Sequence, residues 1–588
     1  MQDDFGDMPS RLAAASPTHM STTPPPLPVW YYLDNFQFVL QWLEQRYSDL
    51  LDAEELGFMQ EFARLPRGAQ GLLVRMIMRK GQLFRTSKLH YAEIGDTATA
   101  AQPLIERKWV LDQPTITLDE LFKLFTKAEL AGRFRWSALT PGQSKQQLLD
   151  TLRPDFQVAW TLGQWERRHN DFPPDSTLQH TELDNDRIYK VDISAMCDRF
   201  RLMFFGNLNQ EWNEFVLSDL GLYTYQKVDF PESARAFQTR QEVDDYLHLH
   251  GCKDALLAAT EQSAGQNPAL DDILAAIPDA YSNEWLESRR GKLLLGIGRQ
   301  YERRGDWARA LDSYGRCMYR GVRARRIRVL ERSERPEAAL ALARLALQAP
   351  ESEEEHQTVL RMIRRLERRC GQACSTAHTP SATMRLDLAL PDAPIRVEEQ
   401  VKECLSHASA PVFYVENGLV NSLFGLLCWD AVFAAVPGAF FHPFQQGPAD
   451  LLRSGFHERR RGLFETCLDQ LRSGQYLNTI RRHFDSKAGI QSPFVYWGLL
   501  SDELLELALQ CMPAEQLGLF FRRLLQDIRV NRSGLPDLIQ FWPAERRYQL
   551  IEVKGPGDRL QYNQLRWLDF CSRHDIPASV CYVSRVDS

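Results

Sequence analysis

The sequence predicts a multidomain chain that is predominantly α-helical through its N-terminal and central regions and ends in an α/β domain. Three observations carry this reading. At 588 residues the chain has room for about three to five domains. Apolar residues recur at helical spacing through much of the first two thirds. Near the C-terminus, Leu538–Trp542 and Tyr548–Val553 are rich in β-branched and aromatic residues and flank a polar turn, Pro543–Arg547, which is a β-hairpin pattern.

Composition narrows the class. Hydrophobic residues make up 44% and charged residues 25%, ordinary globular usage that excludes wholesale disorder. No apolar run approaches the ~20 residues needed to span a bilayer. The longest candidate, Leu423–Val436, is interrupted by Asp430. Met1–Leu27 is acidic and then rich in Ser, Thr and Pro, unlike a secretory signal, so 1–28 is expected to be a flexible tail with Pro24–Pro26 as its stiff end. The 11 cysteines contain no Cys-x-x-Cys pair. Cys370 and Cys374 are closest, His378 follows, and no fourth zinc ligand sits at finger spacing, so reduced thiols are expected. A net charge of −7 argues at first against a nucleic-acid partner, but local clustering of basic residues decides that question in a multidomain chain.

The elements follow in order. In 29–115, Leu33, Phe36, Phe38, Val39, Leu40 and Trp42 recur at helical spacing, as do Leu72, Leu73, Met76 and Ile77. Arg75, Arg79, Lys80 and Arg85 interleave the second series. They form either a solvated charged face or a set of DNA phosphate contacts. In 116–155, Thr117-Leu-Asp-Glu120 has the capping-box pattern, and Gly142–Asp150 sets Lys145 at the start of a helix. This pair resembles the helix-extended-helix unit of DNA-binding SAP domains. The stretch 156–224 reads as a mainly helical connection, broken at Pro173-Pro174, without assignable chemistry.

In 225–394, Leu294, Ile297, Gly298, Tyr301, Ala310 and Tyr314 fall at the spacing of a tetratricopeptide unit, and Ala338, Ala339, Leu342 and Pro350 suggest a poorer second one. Arginines crowd this region between Arg323 and Arg335 and again between Arg361 and Arg369. Some would pair with Glu331, Glu334, Glu337 or Glu367, while Arg361, Arg364 and Arg365 are candidate phosphate contacts. Ser375–Pro394 reads as a linker, with the last domain at 395–588.

The chemistry concentrates in Ser533–Trp567. Side chains two apart on a strand share a face, so Glu552 and Lys554 point one way while Val553 points into the core. Asp537, at the start of the first strand, can lie opposite them. A Pro-Asp turn or a Glu-x-Lys salt bridge alone would be commonplace. The whole set, closed by Gly555-Pro-Gly557, suits Mg²⁺, which binds one or two carboxylates and keeps waters and substrate phosphate. Asp537, Glu552 and the Val553 carbonyl would be metal ligands, and Lys554 would orient water or steady developing charge.

Pro536-Asp537 followed by Glu552-Val-Lys554 resembles the PD-(D/E)xK nuclease superfamily. Gly534–Leu538 with Glu552–Leu560 and Gln564–Leu568 resembles, more narrowly, the virus-type replication-repair nuclease domain. Glu416–Asp430, Gln445–Leu451, Val74–Lys80 and Thr86–Tyr91 extend the resemblance to Fanconi-associated nucleases over most of the chain. It implies a restriction-endonuclease-like C-terminal domain and a structure-selective, metal-dependent DNA nuclease. That enzyme would act as a 5′-flap endonuclease and 5′-to-3′ exonuclease in interstrand crosslink repair, on branched or flapped double-stranded DNA. It further implies Glu416 as another metal-binding carboxylate, Gln445 as an accessory residue beside Gln446, and two Mg²⁺ or Mn²⁺ ions. The location implied is the bacterial cytoplasm with nucleoid-associated activity, or the nucleus in a eukaryote. No zinc-ligand pattern near the N-terminus supports a ubiquitin-binding finger, and no protein partner is legible. Two other readings compete: a Holliday junction resolvase or restriction-like enzyme, and a non-catalytic scaffold.

Overall fold

A computed structural model describes residues 28–134, 142–169, 186–212, 223–261, 268–373 and 383–585. The expected tail, Pro173-Pro174, Cys374 and His378 lie outside the described residues. Two compact units emerge, one within Thr23–Leu222 with Ala236–Val243, the other comprising Tyr223–Arg235 and Asp244–Ser588.

In the first unit, helices Tyr31–Tyr47, Ala53–Arg64, Arg67–Ile77 and Thr97–Glu106 bury most of the periodic apolar residues, with Phe36, Val39, Leu72 and Leu73 fully inside, whereas Phe38 is exposed and Trp42 and Ile77 are half-buried. Asp52 and Glu55 form a reciprocal capping box at one start, as do Thr117 and Glu120 at helix Leu118–Leu124. Ser144 caps helix Lys145–Leu152 through the Gln147 N–H. Trp165 seals the small helical core and donates its indole N–H to the Ile116 carbonyl at 3.0 Å.

The expectation of a helical 29–115 needs correction. Strand β1, Leu83–Arg85, and strand β2, Val110–Asp112, flank strand β3, Ile188–Val191, in an antiparallel sheet of order β1-β3-β2. Three-residue strands carry too little alternation for a period-two signal. Arg85 therefore sits on a strand, not on a basic helical face. It is buried, 2.7 Å from Asp186 and 2.6 Å from Glu129.

In the second unit, helix Glu284–Arg304 packs on helix Trp307–Gly315 as a tetratricopeptide-type pair. A Cβ on Gly298 would stand 2.2 Å from the Tyr314 ring, so only glycine permits this approach. Helices Val322–Arg332, Pro336–Gln348 and Glu353–Arg369 continue the stack.

The sheet of the second unit has five strands among the described residues, in the order β4-β8-β7-β6-β5. These are β4 (Met384–Leu390), β5 (Val412–Tyr414), β6 (Leu538–Trp542), β7 (Arg547–Lys554) and β8 (Ala578–Arg585). β6 and β7 form the expected antiparallel hairpin, with Ile539 opposite Leu550. β8 runs parallel to both β7 and β4. The supposed linker thus contains β4, and the domain begins ahead of residue 395. One sheet face packs Ile551, Val553 and Cys581 against Val401, while Ile539, Phe541 and Leu550 join a large helical core around Leu423, Phe424 and Phe520. Among the described residues no helix is long and apolar enough to cross a membrane.

Candidate active site

The hairpin register fixes the site. Leu538 faces Ile551, so Asp537, one residue earlier, comes level with the Glu552–Val553 end of β7. The Asp537 carboxylate accepts the Val553 N–H at 2.8 Å, and its backbone carbonyl accepts the Val415 N–H at 2.8 Å. Glu552 shares the strand face of Leu550 and Tyr548, and the Lys554 ammonium lies 2.7 Å from Glu552 Oε1. Oε1 therefore meets that ammonium, while Oε2 is buried without a hydrogen-bond partner among the described residues. All three side chains are buried.

The loop ahead of Asp537 is shaped by residues the sequence reading did not single out. Gly534 has φ +89°, and a Cβ there would stand 2.8 Å from the Asn563 backbone, so the loop closes tightly on helix Tyr562–Arg573. The Trp567 indole donates to the Ser533 carbonyl at 3.1 Å. From the other side, Asn417 accepts the Leu535 N–H at 3.0 Å, and Asn421 donates to the Arg532 carbonyl at 2.9 Å. The available signal was the pair of asparagines, Asn417 and Asn421, directly following Glu416.

Glu416 lies on the turn after β5, ahead of helix Leu419–Leu427. It accepts hydrogen bonds from the Tyr414 hydroxyl and from Asn417. Burial pushes the Asp537 carboxyl up to about 6, opposed by the Val553 N–H and reinforced by the Glu416 charge. Burial and the Asp537 charge push Glu552 up to about 8, with Lys554 offsetting part of the shift. Two buried carboxylates that repel each other when charged, offset by the one Lys554 ammonium, form a donor set that fits a divalent cation. Among the described residues no group of three or more acidic, imidazole or thiol side chains is placed to hold a metal ion, so protein side chains alone supply only part of a coordination shell. Mg²⁺ suits such an open site, because it keeps waters and takes substrate oxygens.

The other candidates are placed as follows. The Gln445 amide is bonded within its own loop, accepting the Phe441 and His442 N–H groups and donating to the Ala439 and Gly447 carbonyls. Gln446 is exposed and donates to the Ser492 carbonyl. Arg75 is paired with Glu93 at 2.6 Å and stacked 3.8 Å over Tyr32. Arg79 donates to the Lys88 carbonyl. Lys80 and Lys145 have no ion pair among the described residues, and Lys80 is exposed. Arg365 makes a bidentate pair with Glu331, at 2.6 and 2.5 Å. Arg361 is exposed and stacks 3.7 Å over Tyr562, and Arg364 is half-buried. Much of the arginine excess is internally paired, with Glu302 and Glu355 taking Arg325, Arg328 and Arg323.

Three segments match known families: 30–111 the FAN1 HTH domain, 115–165 the Fanconi anemia-associated nuclease SAP domain, and 471–585 the VRR-NUC domain. The chain is 48% identical to a Fanconi-associated nuclease 1 homolog of Pseudomonas aeruginosa, covering 98% of this chain and 99% of the relative. The chain belongs to the Fanconi-associated nuclease family. An Arabidopsis thaliana homolog of this family is 26% identical over 95% of the chain and 67% of its own length. A crystal structure of paFAN1 bound to 2nt 5′-flap DNA with gap superposes with a TM-score of 0.87, at 49% identity, over 96% of this chain and 100% of that one. Membership in this family makes the chain a nuclease whose VRR-NUC domain contains the Asp537, Glu552 and Lys554 strands.

Proposed function

We propose that Asp537, Glu552, Lys554 and Glu416 form the phosphodiesterase centre of a structure-selective DNA repair nuclease. It incises 5′ flaps, degrades 5′ to 3′, and serves interstrand crosslink repair in the cytoplasm of a bacterium or the nucleus of a eukaryote. Glu552 carries the assignment of the centre, because it is 1% exposed, stands beside Asp537 and the Lys554 ammonium, and keeps an Oε2 with no hydrogen-bond partner among the described residues. The relatives' names and the flap-bound solved structure support the substrate class.

A bound divalent ion would supply a Lewis acid and a water of lowered pKa. Asp537, Glu552 and the Val553 carbonyl would hold Mg²⁺ or Mn²⁺, and Glu416 suits the far side of a two-ion arrangement. The Val553 N–H fixes the Asp537 carboxylate, leaving its other oxygen for the ion. Lys554 places an ammonium where it can orient the attacking water or neutralise charge growing on the phosphate. Gln445 acts by shaping its loop. Lys80, Lys145, Arg361 and Arg364 are proposed phosphate contacts, and shape rather than base identity sets selectivity.

The test is cleavage of an end-labelled 5′-flap duplex with Mg²⁺, Mn²⁺ or chelator, by wild type and Asp537→Ala. Incision near the junction that needs metal and disappears in the variant is expected. Intact flaps beside cut four-way junctions would support a resolvase instead.

A further inference from the structure

Helix Glu353–Arg369 of the repeat region meets helix Tyr562–Arg573, which follows β7, through side chains in register. Arg566 donates to the Gln357 side chain at 3.1 Å, and one turn along both helices Arg361 stacks 3.7 Å over the Tyr562 ring. Gln357 and Arg566 are half-buried, whereas Arg361 and Tyr562 are exposed. Tyr562 is 56% exposed, and no other Phe, Tyr or Trp among the described residues of the second unit is exposed. Arg361 covers one face of the ring, so the exposure belongs to the other face and the edge. Arg361 has no carboxylate partner among the described residues. Its guanidinium is held by its own helix, donating to the Gln357 carbonyl at 3.2 Å and the Thr358 hydroxyl at 3.1 Å.

This pair stands at the rim of the site. The backbone of Asn563, the next residue, lies 2.8 Å from where a Cβ on Gly534 would stand. Gly534 is three residues ahead of Asp537, a reach of about 11 Å at most in extended chain. From the other direction, the exposed run Pro556–Arg559 leads from Lys554 toward Tyr562.

We propose that Tyr562 stacks on one unpaired nucleobase of branched DNA beside the scissile phosphate, with Arg361 behind the ring. This rests on the flap-nuclease reading given above and adds to it a residue that positions the strand. Every base has a π face, so stacking holds an unpaired nucleotide without reading its identity, which suits an enzyme selective for shape. Arg361 steadies the ring by cation–π attraction and brings positive charge to the phosphates flanking that base. An arginine–tyrosine stack that only fastens two helices would leave DNA binding indifferent to whether the base is present.

The experiment titrates the full chain, in chelator so that no strand is cut, into 5′-flap duplexes carrying the fluorescent base aminopurine at the first, second or third flap nucleotide. Matching duplexes with an abasic site at the same position are followed by anisotropy. Wild type, Tyr562→Phe and Tyr562→Ala are compared, with thermal unfolding of each. Wild type should quench aminopurine at one position and lose about tenfold in affinity when that base is missing. Tyr562→Phe keeps the ring and should do the same. Tyr562→Ala should quench at none, and should bind both duplexes as weakly as wild type binds the abasic one. Unchanged quenching in Tyr562→Ala would overturn the proposal. So would a loss in that variant equal for the intact and abasic duplexes, since the ring would then serve the fold alone. A wild type that binds flaps no better than linear duplex would instead sink the flap reading, and the proposal with it.

Discussion

Glu552 shows what one buried residue implies for the stability of the protein. In the unfolded chain its carboxyl ionises near pH ~4.3. In the folded chain burial and Asp537 hold it protonated up to about 8. Between those limits the folded state binds more protons, so metal-free stability falls as pH rises and then levels off above the folded pKa. Glu552→Gln removes the penalty. Its melting temperature in chelator should exceed wild type by a few degrees at pH 8 and converge with it near pH 4. Saturating Mn²⁺ should reverse the order, because the ion stabilises the protein that binds it. Scanning calorimetry across pH checks both statements. A flat difference would mean that Glu552 is not held protonated. Asp537, Glu552 and Lys554 were legible in the sequence because they lie within a short stretch whose alternation fixes their faces. Asn417 and Asn421 were not, because their work is hydrogen bonding to a loop more than a hundred residues away, at Leu535 and Arg532.

Among elements, the loop ahead of β6 controls where Asp537 stands. Gly534→Ala would add a Cβ into the Asn563 backbone at a positive φ, so the loop must move. Displacing a catalytic group by about 1 Å costs roughly 100-fold in rate. A single-turnover flap assay should therefore show a drop of about that size, with helix content by circular dichroism unchanged. Wild-type turnover would place the control of Asp537 elsewhere. The hairpin and the capped helices were readable because each is specified by neighbours in sequence, as the Thr117–Glu120 box shows. β4 escaped, since its exposed and half-exposed residues Met384–Leu390 look like a linker until β8 is beside them. The three short strands of the first unit were lost for want of length.

For the whole molecule, the question is which basic residues meet DNA. Counting arginines overstates the surface, because Arg85 and Arg365 already hold carboxylates. Each phosphate contact adds about 0.9 to the slope of log affinity against log salt. Lys80→Ala with Lys145→Ala should flatten that slope by up to about two, measured by fluorescence anisotropy on a flap duplex. Arg85→Ala should leave the slope alone and destabilise its own unit by about 3 kcal/mol or less, since buried Asp186 would lose its nearest cation but keep the Ser87 and Thr86 donors and Arg133 at 4.0 Å. An unchanged slope in the lysine pair would remove both from the DNA path. The order of domains was legible through local motifs, whereas charge pairing between distant helices, such as Arg323 with Glu355, was not.

β8 lies between β4 and β7, so the edge strand β4 joins the sheet only through a strand that comes much later in the chain. β4 has waited for nearly two hundred residues of translation before its partner exists. A ribosome-bound chain can fold its helical units first, and with them the surfaces that grip a duplex. The strand bearing Glu552 and Lys554 stays unpaired on one edge until β8 has been made. Pairing of β7 on its second edge therefore comes after the hairpin that sets Asp537 beside Glu552.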